Sequence, residues 1–258
     1  MSKISETFKN KKILIPYITA GDPSLKKTEE LIFQFEKAGA DIIELGIPFS
    51  DPLADGPVIQ ASHARAVKQN VSLPDVFKLV KNVRKKSQIP IVFMLACNLV
   101  EQYGYEKFYD ECEKAQVNGI LIPDMPPEEL ENKCPMSNVQ CPMKVDSIFM
   151  VAPTTTDERI KKIADATTGF IYLVSSLGIT GKRKNLSSSI PSLVAKIRKQ
   201  TDKPIAIGFG IGTPAQAKEA VKYADGVIVG SAIVDLIGQK KLKEAVNLVS
   251  KTRRAIDA

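Results

Sequence analysis

The sequence has few of the residues on which many catalytic and metal sites depend. Its 258 residues include no tryptophan, a single histidine, His63, and four cysteines, Cys97, Cys112, Cys134 and Cys141. One histidine excludes a histidine-based catalytic triad and a histidine metal cluster. The cysteines have no C-x-x-C spacing and no nearby histidine, so they fit reduced thiols better than a disulfide framework or a zinc site.

Long apolar segments are also missing. No stretch approaches 18 consecutive apolar residues, so no membrane-spanning helix is expected. The first twelve residues, MSKISETFKNKK, lack the apolar core of a signal peptide. Together with the reduced cysteines, these features predict a cytoplasmic protein without a membrane partner.

The charge balance is basic but selects no partner. Lys and Arg number 36 and Asp and Glu number 29, which gives a net charge of +7. A basic balance permits acidic partners such as phosphates or nucleic acid. The basic residues occur in short groups separated by acidic ones, as on solvated helix faces, and no zinc-finger spacing or aromatic-plus-basic platform is present. We therefore do not expect nucleic acid as a partner.

Eight short apolar runs rich in Ile and Val recur along the chain. Most are continuous rather than alternating, which is typical of parallel strands covered on both faces. The segments between them carry apolar residues at helical spacing, as in Leu31, Phe35 and Ala38. The runs occupy residues 13–18, 41–47, 90–96, 119–123, 147–152, 169–175, 204–209 and 225–230.

This alternation of eight strands with about eight helices predicts the fold. It favours an α/β protein of one domain, residues 1–258, folded as a (β/α)8 TIM barrel with right-handed crossovers. An open, doubly wound sheet is the alternative, because the pattern alone does not show closure. The absence of a G-x-G-x-x-G turn after the first strand counts against that alternative.

Glycines follow the last two predicted strands. Gly208, Gly210 and Gly212 come after the seventh, and Gly230 and Ser231 come after the eighth. Glycines allow close approach of a ligand to the backbone, and the start of the next helix supplies free N–H groups. Because loops at these positions often hold a phosphate in barrels, we predict a phosphate site. Alternatively, the glycines only turn the chain over the rim.

Two carboxylates are candidates for acid–base chemistry. Glu44 lies within an apolar strand, where a charge is costly unless it is paired or functional. If it points into the barrel, desolvation raises its pKa and suits it to proton transfer near neutral pH. Otherwise it faces a helix and pairs with a lysine there. Asp55 lies in a loop rich in Pro and Gly, where it is either functional or a turn former.

Three further residues have weaker signals. His63 follows that loop on a predicted helix, residues 59–68, and a surface or packing role is favoured. Cys97 has no histidine to activate it, so we interpret it as lining the site rather than as a nucleophile. Tyr172 is either a hydrogen-bonding phenol or a core residue. The residues alone thus indicate a barrel for a phosphorylated metabolite that uses carboxylates and no metal, but they do not specify the reaction.

The motifs of the chain, taken in order, resemble those of the tryptophan synthase α subunit family. The resemblance runs nearly end to end, and the segment ELGIPFSDPLADGP is highly specific. The motifs are TAGDP (19–23), ELGIPFSDPLADGP (44–57), PDMP (123–126), APTT (152–155), GITG (178–181), GFGI (208–211) and GSAI (230–233).

This resemblance implies a (β/α)8 barrel that is a carbon–carbon lyase of tryptophan biosynthesis. Such subunits cleave indole-3-glycerol phosphate, by a retro-aldol route, to indole and glyceraldehyde 3-phosphate. The indole passes to a β subunit, which carries pyridoxal phosphate and condenses indole with serine to L-tryptophan. The resemblance therefore implies an allosteric αββα heterotetramer in the cytoplasm and no cofactor or metal in this chain.

The resemblance also assigns roles to individual residues. Glu44 matches the general acid–base, Asp55 the carboxylate that holds the indole N–H and stabilises positive charge, and Tyr172 a tyrosine near the reacting carbons. Thr180 matches a substrate-contacting residue of the loop that closes over the site; mobile loops are expected near residues 49–58 and 176–190. The remaining matches are the indole pocket (Tyr17, Met94, Leu121, Met150, Phe209), the phosphate site (Gly181, Gly210, Gly230, Ser231) and the surface facing the β subunit (Asp51, Pro52, Asp124, Pro126).

Three segments depart from the family pattern. Residues 95–99 lack the usual tyrosines, and residues 175–178 lack the usual arginine and small hydroxyl residue. Residues 131–146 include Pro135 and Pro142, so the fourth helix is expected to be short or broken. Two alternatives follow: a catalytically weakened α-like subunit that mainly binds and activates the β subunit, or another phosphosugar barrel enzyme such as an isomerase.

Overall fold

The eight predicted strands form a closed parallel barrel. The computed structural model describes residues 2–52, 55–133, 145–174 and 190–258. The strands pair in chain order, and β1 pairs with β8 to close the barrel, so the (β/α)8 prediction is confirmed and the open sheet is wrong. The strands are β1 Ile13–Thr19, β2 Ile43–Gly46, β3 Ile91–Met94, β4 Gly119–Leu121, β5 Asp146–Val151, β6 Ile171–Val174, β7 Ile205–Gly208 and β8 Gly226–Val229.

The described residues contain more helices than the roughly eight that the sequence predicted. One extra helix precedes β1, and two helices instead of one follow each of β2, β3 and β8. No helix in the described ranges is long and apolar enough to cross a membrane. The helices are α1 Lys3–Thr7, α2 Leu25–Lys37, α3 Pro57–Val67, α4 Leu73–Arg84, α5 Cys97–Tyr103, α6 Tyr105–Ala115, α7 Pro127–Lys133, α8 Asp157–Ala166, α9 Ile190–Arg198, α10 Pro214–Ala220, α11 Ser231–Gly238 and α12 Leu242–Asp257.

Local sequence explains where several helices begin and end. The Ser24 hydroxyl accepts a hydrogen bond from the N–H of Lys27 at the start of α2, and Gly39 follows the helix with a positive φ of 100°. That conformation favours glycine, which makes Gly39 a helix stop. The helix after β4, which was expected to be short, has seven residues, and residues 134–144 beyond it lie outside the described part.

The apolar runs are continuous because the strands are buried on both faces. Along β1, Ile13 and Ile15 belong to a cluster inside the barrel, whereas Leu14 and Ile18 belong to the larger cluster between strands and helices. Successive side chains of a strand point to opposite faces. Both faces are covered here, so inward and outward positions are both mostly apolar and the sequence does not reveal which residues point inward.

Helix α1 fills the amino end of the barrel. Ile4 is fully buried, and both Ile4 and Phe8 belong to the interior cluster. The Phe8 ring lies 5.5 Å from that of Phe170, at the end of the barrel where the strands begin. At Gly119 a Cβ would lie only 2.7 Å from Cδ1 of Ile4, so a larger residue there would require the Ile4 side chain to shift. The carboxyl ends of the strands are left to form a site.

Candidate active site

A cavity of about 620 Å³ opens at the carboxyl ends of the strands. That volume lies within the range of small-molecule sites. Most of the predicted catalytic, indole-pocket and phosphate residues in the described ranges contribute to its wall. They are Tyr17, Glu44, Asp55, Met94, Tyr172, Phe209, Gly210, Gly230 and Ser231.

Glu44 of β2 lies on the cavity wall and does not face the surrounding helices. It is paired in register with Tyr17 of β1, and both residues line the cavity. The side chain is 2% exposed, and its Oε1 atom has no hydrogen-bond partner among the described residues. Burial, and then the nearby Asp55 carboxylate, raise the pKa of Glu44 to about 8. A carboxyl group with this pKa can donate a proton at neutral pH and take one back.

Asp55 reaches the same cavity from the loop after β2. Its N–H donates to the carbonyl of Pro52 at 3.0 Å, and its own carbonyl accepts from Nε2 of Gln60 at 2.8 Å. Burial raises the pKa of the Asp55 carboxyl to about 6. At pH 7 Asp55 is thus mainly ionised while Glu44 is mainly protonated. Two carboxyl groups with separated pKa values can act in different roles.

Two buried tyrosines stand beside these acids, each placed over a glycine. A Cβ at Gly46 would lie 2.1 Å from Oη of Tyr17, and a Cβ at Gly208 would lie 2.3 Å from Oη of Tyr172. The Tyr172 ring also packs edge-on against Phe209 at 5.9 Å. Burial raises the pKa of both phenols, which therefore remain hydrogen-bond donors at neutral pH. Gly208 thus makes room for Tyr172 and does more than turn the chain.

His63 is a site residue that the sequence interpretation missed. It lies on α3, is 5% exposed, and accepts a hydrogen bond at Nδ1 from the N–H of Phe49 at 3.1 Å. Its Nε2 atom is 3.4 Å from Oη of Tyr17 and 3.4 Å from Oδ2 of Asp55. A packing role was predicted, and the residue is packed, but against a candidate catalytic group. The sequence did contain one signal for this placement. His63 follows Ile59 at the i, i+4 spacing of one helix face, and Ile59 also faces inward on α3.

Residues of the predicted phosphate site line the same cavity. Gly210 follows β7 with a positive φ of 82°, and Gly230 is the N-cap of α11, which begins at Ser231. The first N–H groups of a helix have no acceptor within the helix and attract anions. The nearby N–H groups of Gly212 and Thr213 are instead bound to Oε1 of Gln216 in the cap of α10. Thr180 and Gly181, with the rest of segment 175–189, lie outside the described residues.

Three predicted lining residues are not part of the cavity wall. Leu121 and Met150 belong to the interior cluster that also contains Tyr172, so their contact with an indole ring stays a prediction. Cys97 begins α5, where its Sγ atom lies 3.5 Å from Oη of Tyr105. The interpretation of Cys97 as a residue lining the site stays a prediction. The wall also includes residues that were not singled out in the sequence, namely Val58, Ile59, Ile211, Ile228 and Asp235.

The four residues predicted to face a β subunit lie in the loops after β2 and β4. Asp51 and Asp124 are exposed, and Pro52 and Pro126 are half-buried. Oδ1 of Asp124 accepts a hydrogen bond from the N–H of Cys97 at 2.9 Å, which ties the loop after β4 to the start of α5. Contact of these residues with a partner stays a prediction.

Within the described ranges, no group of three or more His, Cys, Asp or Glu side chains could hold a metal ion. The polar groups on the cavity wall include the carboxyls of Glu44 and Asp55, the two phenols and the backbone near Gly230; Thr213, Gln216, Ser231 and Asp235 also line it. This set can donate and accept protons, stabilise a positive charge and bind an anion, all within one cavity.

Comparisons with known proteins show the family of the chain. Residues 4–256 match the model of the family described as "Tryptophan synthase alpha chain". The tryptophan synthase alpha chain of Lacticaseibacillus casei is 45% identical over 261 residues, which cover 100% of this chain and 97% of the relative. That of Geotalea daltonii is also 45% identical and covers 100% of this chain and 98% of the relative.

Solved structures agree as well. A structure of Mycobacterium tuberculosis tryptophan synthase superposes with a TM-score of 0.91 at 31% identity, covering 100% of this chain and 99% of that one. The tryptophan synthase subunit alpha of Legionella pneumophila gives a TM-score of 0.86 at 37% identity, with coverage of 100% and 99%. The chain therefore belongs to the tryptophan synthase alpha chain family.

Proposed function

We propose that this chain cleaves indole-3-glycerol phosphate to indole and glyceraldehyde 3-phosphate, with Glu44 as the group that moves protons. The observation that carries this role is the placement of Glu44. Its carboxyl is buried in a cavity of about 620 Å³, has an unpartnered oxygen and has its pKa raised to about 8. The reaction needs one proton delivered to carbon and one removed from a hydroxyl, and a single carboxyl with this pKa can do both.

In the first step, protonated Glu44 gives its proton to C3 of the indole ring. The ring becomes an indolenine cation, and its positive charge is shared with the ring nitrogen. Asp55, which is ionised above a pH of about 6, accepts the hydrogen bond of the ring N–H and stabilises this charge. Because the site is largely buried, the attraction between carboxylate and cation is stronger than it would be in water.

In the second step, the Glu44 carboxylate removes the proton from the hydroxyl on the carbon next to the ring. The bond between that carbon and C3 breaks, and its electron pair returns to the ring, which becomes indole. The former hydroxyl becomes the aldehyde oxygen of glyceraldehyde 3-phosphate. Glu44 ends protonated, so the cycle balances without a cofactor. Tyr172, which is held over Gly208, positions the reacting carbons.

The substrate spans the cavity between two groups of residues. The indole ring lies on the apolar side near Tyr17, Met94 and Phe209, and the phosphate lies at the start of α11 near Gly230 and Ser231. Fixing both ends holds the bond to be broken beside Glu44, and such positioning lowers the barrier of the reaction.

The physiological partner is a tryptophan synthase β subunit, in an αββα heterotetramer. That subunit carries the pyridoxal phosphate and uses the indole to make L-tryptophan, whereas this chain binds no cofactor of its own. The exposed Asp51 and Asp124, in the loops after β2 and β4, are on the surface that we expect it to cover. We place the reaction in the cytoplasm, which accords with the unpaired thiols of Cys97 and Cys112.

The test is release of indole from indole-3-glycerol phosphate by the purified chain, measured with and without its β subunit. Indole release by the isolated chain, faster in the complex, is the expected result. Stimulation of the β subunit without indole release, under conditions where the Lacticaseibacillus casei relative is active, would instead indicate a non-catalytic activator. Binding of small sugar phosphates but not of indole compounds would indicate a different barrel enzyme.

A crystal structure with an indole phosphonate analogue provides a geometric test. The Glu44 carboxyl should lie within hydrogen-bond distance of the group that replaces the reacting hydroxyl, and Asp55 should accept the indole N–H. A phosphonate bound away from Gly230 and Ser231 would contradict the assignment of the anion site.

A further inference from the structure

His63, the only histidine of the chain, is enclosed by groups of the candidate active site. Phe49 and Asp55 approach it from the loop after β2, and Tyr17 approaches it from β1. The loop and the helix are also joined through Gln60, whose Nε2 donates to the carbonyl of Asp55 at 2.8 Å. Helix α3 thus contacts both the backbone and the side chain of Asp55.

The backbone of Phe49 determines which ring nitrogen of His63 carries the proton. An amide N–H can only donate, so Nδ1, which lies 3.1 Å from it, must be the unprotonated nitrogen. In a neutral imidazole the remaining proton is then on Nε2. The Nε2–H group lies beside two oxygen atoms: Oη of Tyr17, at 3.4 Å, is its hydrogen-bond partner, and Oδ2 of Asp55, also at 3.4 Å, is close enough for an attractive polar contact.

We propose that His63 is a positioning residue for Asp55: its Nε2–H group attracts Oδ2 of the carboxylate, 3.4 Å away, and so leaves Oδ1 free to accept the indole N–H. This inference rests on the proposed function, because it concerns the orientation of the Asp55 carboxylate that the proposed reaction needs. A carboxylate on a loop can rotate about its side-chain bonds. A donor fixed on a helix restricts that rotation before the substrate binds, and such preorganisation favours the transition state.

The neutral state of His63 matters for this role. An imidazolium next to Asp55 would offset the negative charge that stabilises the indolenine cation, whereas a neutral N–H orients the carboxylate without cancelling it. Burial lowers the pKa of His63 to about 4. The titratable groups that face the ring are Asp55 and the Tyr17 phenol, while its neighbours on the buried face of α3 are Ile59, Ser62 and Ala66.

Two amide substitutions separate the two contacts of the ring. In His63→Asn the amide oxygen falls near the Nδ1 position, so it can accept from Phe49, but nothing reaches Asp55. In His63→Gln the amide nitrogen falls near the Nε2 position, so it can donate to Asp55. We expect kcat for indole release to fall roughly 10-fold in His63→Asn and to stay within about 3-fold of the parent in His63→Gln, because the polar contact with the charged carboxylate is lost only in the former.

The pH profile gives a readout that a purely structural role would not move. The parent should lose activity below a pH of about 6, as Asp55 becomes protonated. A donor to the carboxylate lowers its pKa, so removing the donor in His63→Asn should shift this acidic limb to higher pH, whereas His63→Gln should not shift it. KM should change little in either variant.

Nitrogen NMR of histidine-labelled protein tests the tautomer directly and needs no activity measurement. Because His63 is the only histidine, its signals need no assignment. The expected spectrum at neutral pH has a protonated Nε2 and an unprotonated Nδ1. A proton on Nδ1, or an imidazolium at neutral pH, would overturn the inference. So would a His63→Asn variant with the parent's kcat and acidic limb. If the parent itself releases no indole, the proposed function fails instead, and the tautomer is still decided by the spectrum.

Discussion

The two ends of the barrel interior differ in chemistry although the same strands build both. In β2 and the residue before it, Ile42 and Glu44 point inward two residues apart, and they are 0% and 2% exposed. Ile42 packs in the interior cluster with Ile4 of α1, whereas Glu44 faces the cavity at the other end. Two residues along one strand therefore separate a filled, apolar end from an open end with an unpartnered carboxyl.

This difference shows how stability and function are divided along the strands. Burial of apolar side chains such as Ile4 and Phe8 stabilises the fold. Burial of a carboxyl such as Glu44, with one oxygen unpartnered, destabilises it and raises the pKa of the group. Apolar burial at the amino end offsets the free-energy cost of the buried carboxyl at the other end. Substitutions at the amino end should therefore reduce mainly stability, and substitution of Glu44 should reduce mainly activity.

The largest effect is expected at the open end. Glu44→Gln keeps the size of the side chain but removes its transferable proton, so kcat for indole release should fall about 10²–10⁴-fold. Binding of an indole phosphonate analogue, measured by calorimetry, should be nearly unchanged. A turnover equal to that of the parent would remove Glu44 from the mechanism and end the functional contrast between the two ends.

The converse substitution is at the filled end. Ile4→Ala removes apolar volume from the closed interior, and such changes cost about 2–5 kcal/mol of unfolding free energy. Denaturant unfolding should show this loss, while kcat and KM measured well below the unfolding transition stay within about 2-fold of the parent. A large loss of kcat without loss of stability would mean that the amino end also shapes the active site.

A third, smaller effect appears in the pH dependence of stability. Because the folded-state pKa of Glu44 is raised from 4.5 to about 8, the folded chain holds this proton more tightly than the unfolded chain between those values. The associated stability is fully present below pH 4.5 and is lost as the pH rises through about 8.

Glu44→Gln should therefore gain stability relative to the parent, by roughly 1–4 kcal/mol, when denaturant unfolding at pH 9 is compared with pH 5. Ile4→Ala serves as the control, since its loss of stability should be the same at both pH values. If the unfolding free energies of the parent and of Glu44→Gln depend equally on pH, the Glu44 carboxyl is not buried in the way that the structure shows.

Sequence patterns could predict the barrel but not the inward direction of each residue. The eight apolar runs and the helices between them were enough to predict the fold. The direction of Glu44 remained open, because its neighbours Ile43 and Leu45 are as apolar as the inward-facing Ile42. Where both faces of a strand are buried, a pattern of apolar and polar residues carries no information about which face is which.

His63 illustrates what sequence reasoning could not supply. Its contacts join α3 to Tyr17, 46 residues away, and to Phe49, 14 residues away. Each contact depends on the closed barrel and on the path of a loop, neither of which has a local signal. The predicted phosphate site, by contrast, has a local signal, because Gly230 and Ser231 adjoin each other at the start of a helix.

The smallest effect is expected at the predicted phosphate site. In Gly230→Ala the new Cβ would lie 3.5 Å from Cβ of Tyr17, which is an ordinary contact, and φ at this position is negative, at −110°. The protein should therefore fold, but the methyl group would hinder close approach of the phosphate to the backbone. KM for indole-3-glycerol phosphate should rise roughly 5- to 50-fold with kcat changed by less than about 3-fold, since the phosphate is bound equally in substrate and transition state.

Gly212→Ala is the matched control for that change. Its Cβ would lie 3.6 Å from Cβ of Ala232, and the N–H of Gly212 is already bound to Gln216, so it has no donor to offer a phosphate. KM in this variant should stay within about 2-fold of the parent. If both alanines raise KM equally, crowding of the rim explains the effect, and if neither does, the anion binds elsewhere. Only a rise confined to Gly230→Ala would place the phosphate against the first turn of α11, in the cavity that Glu44 also lines.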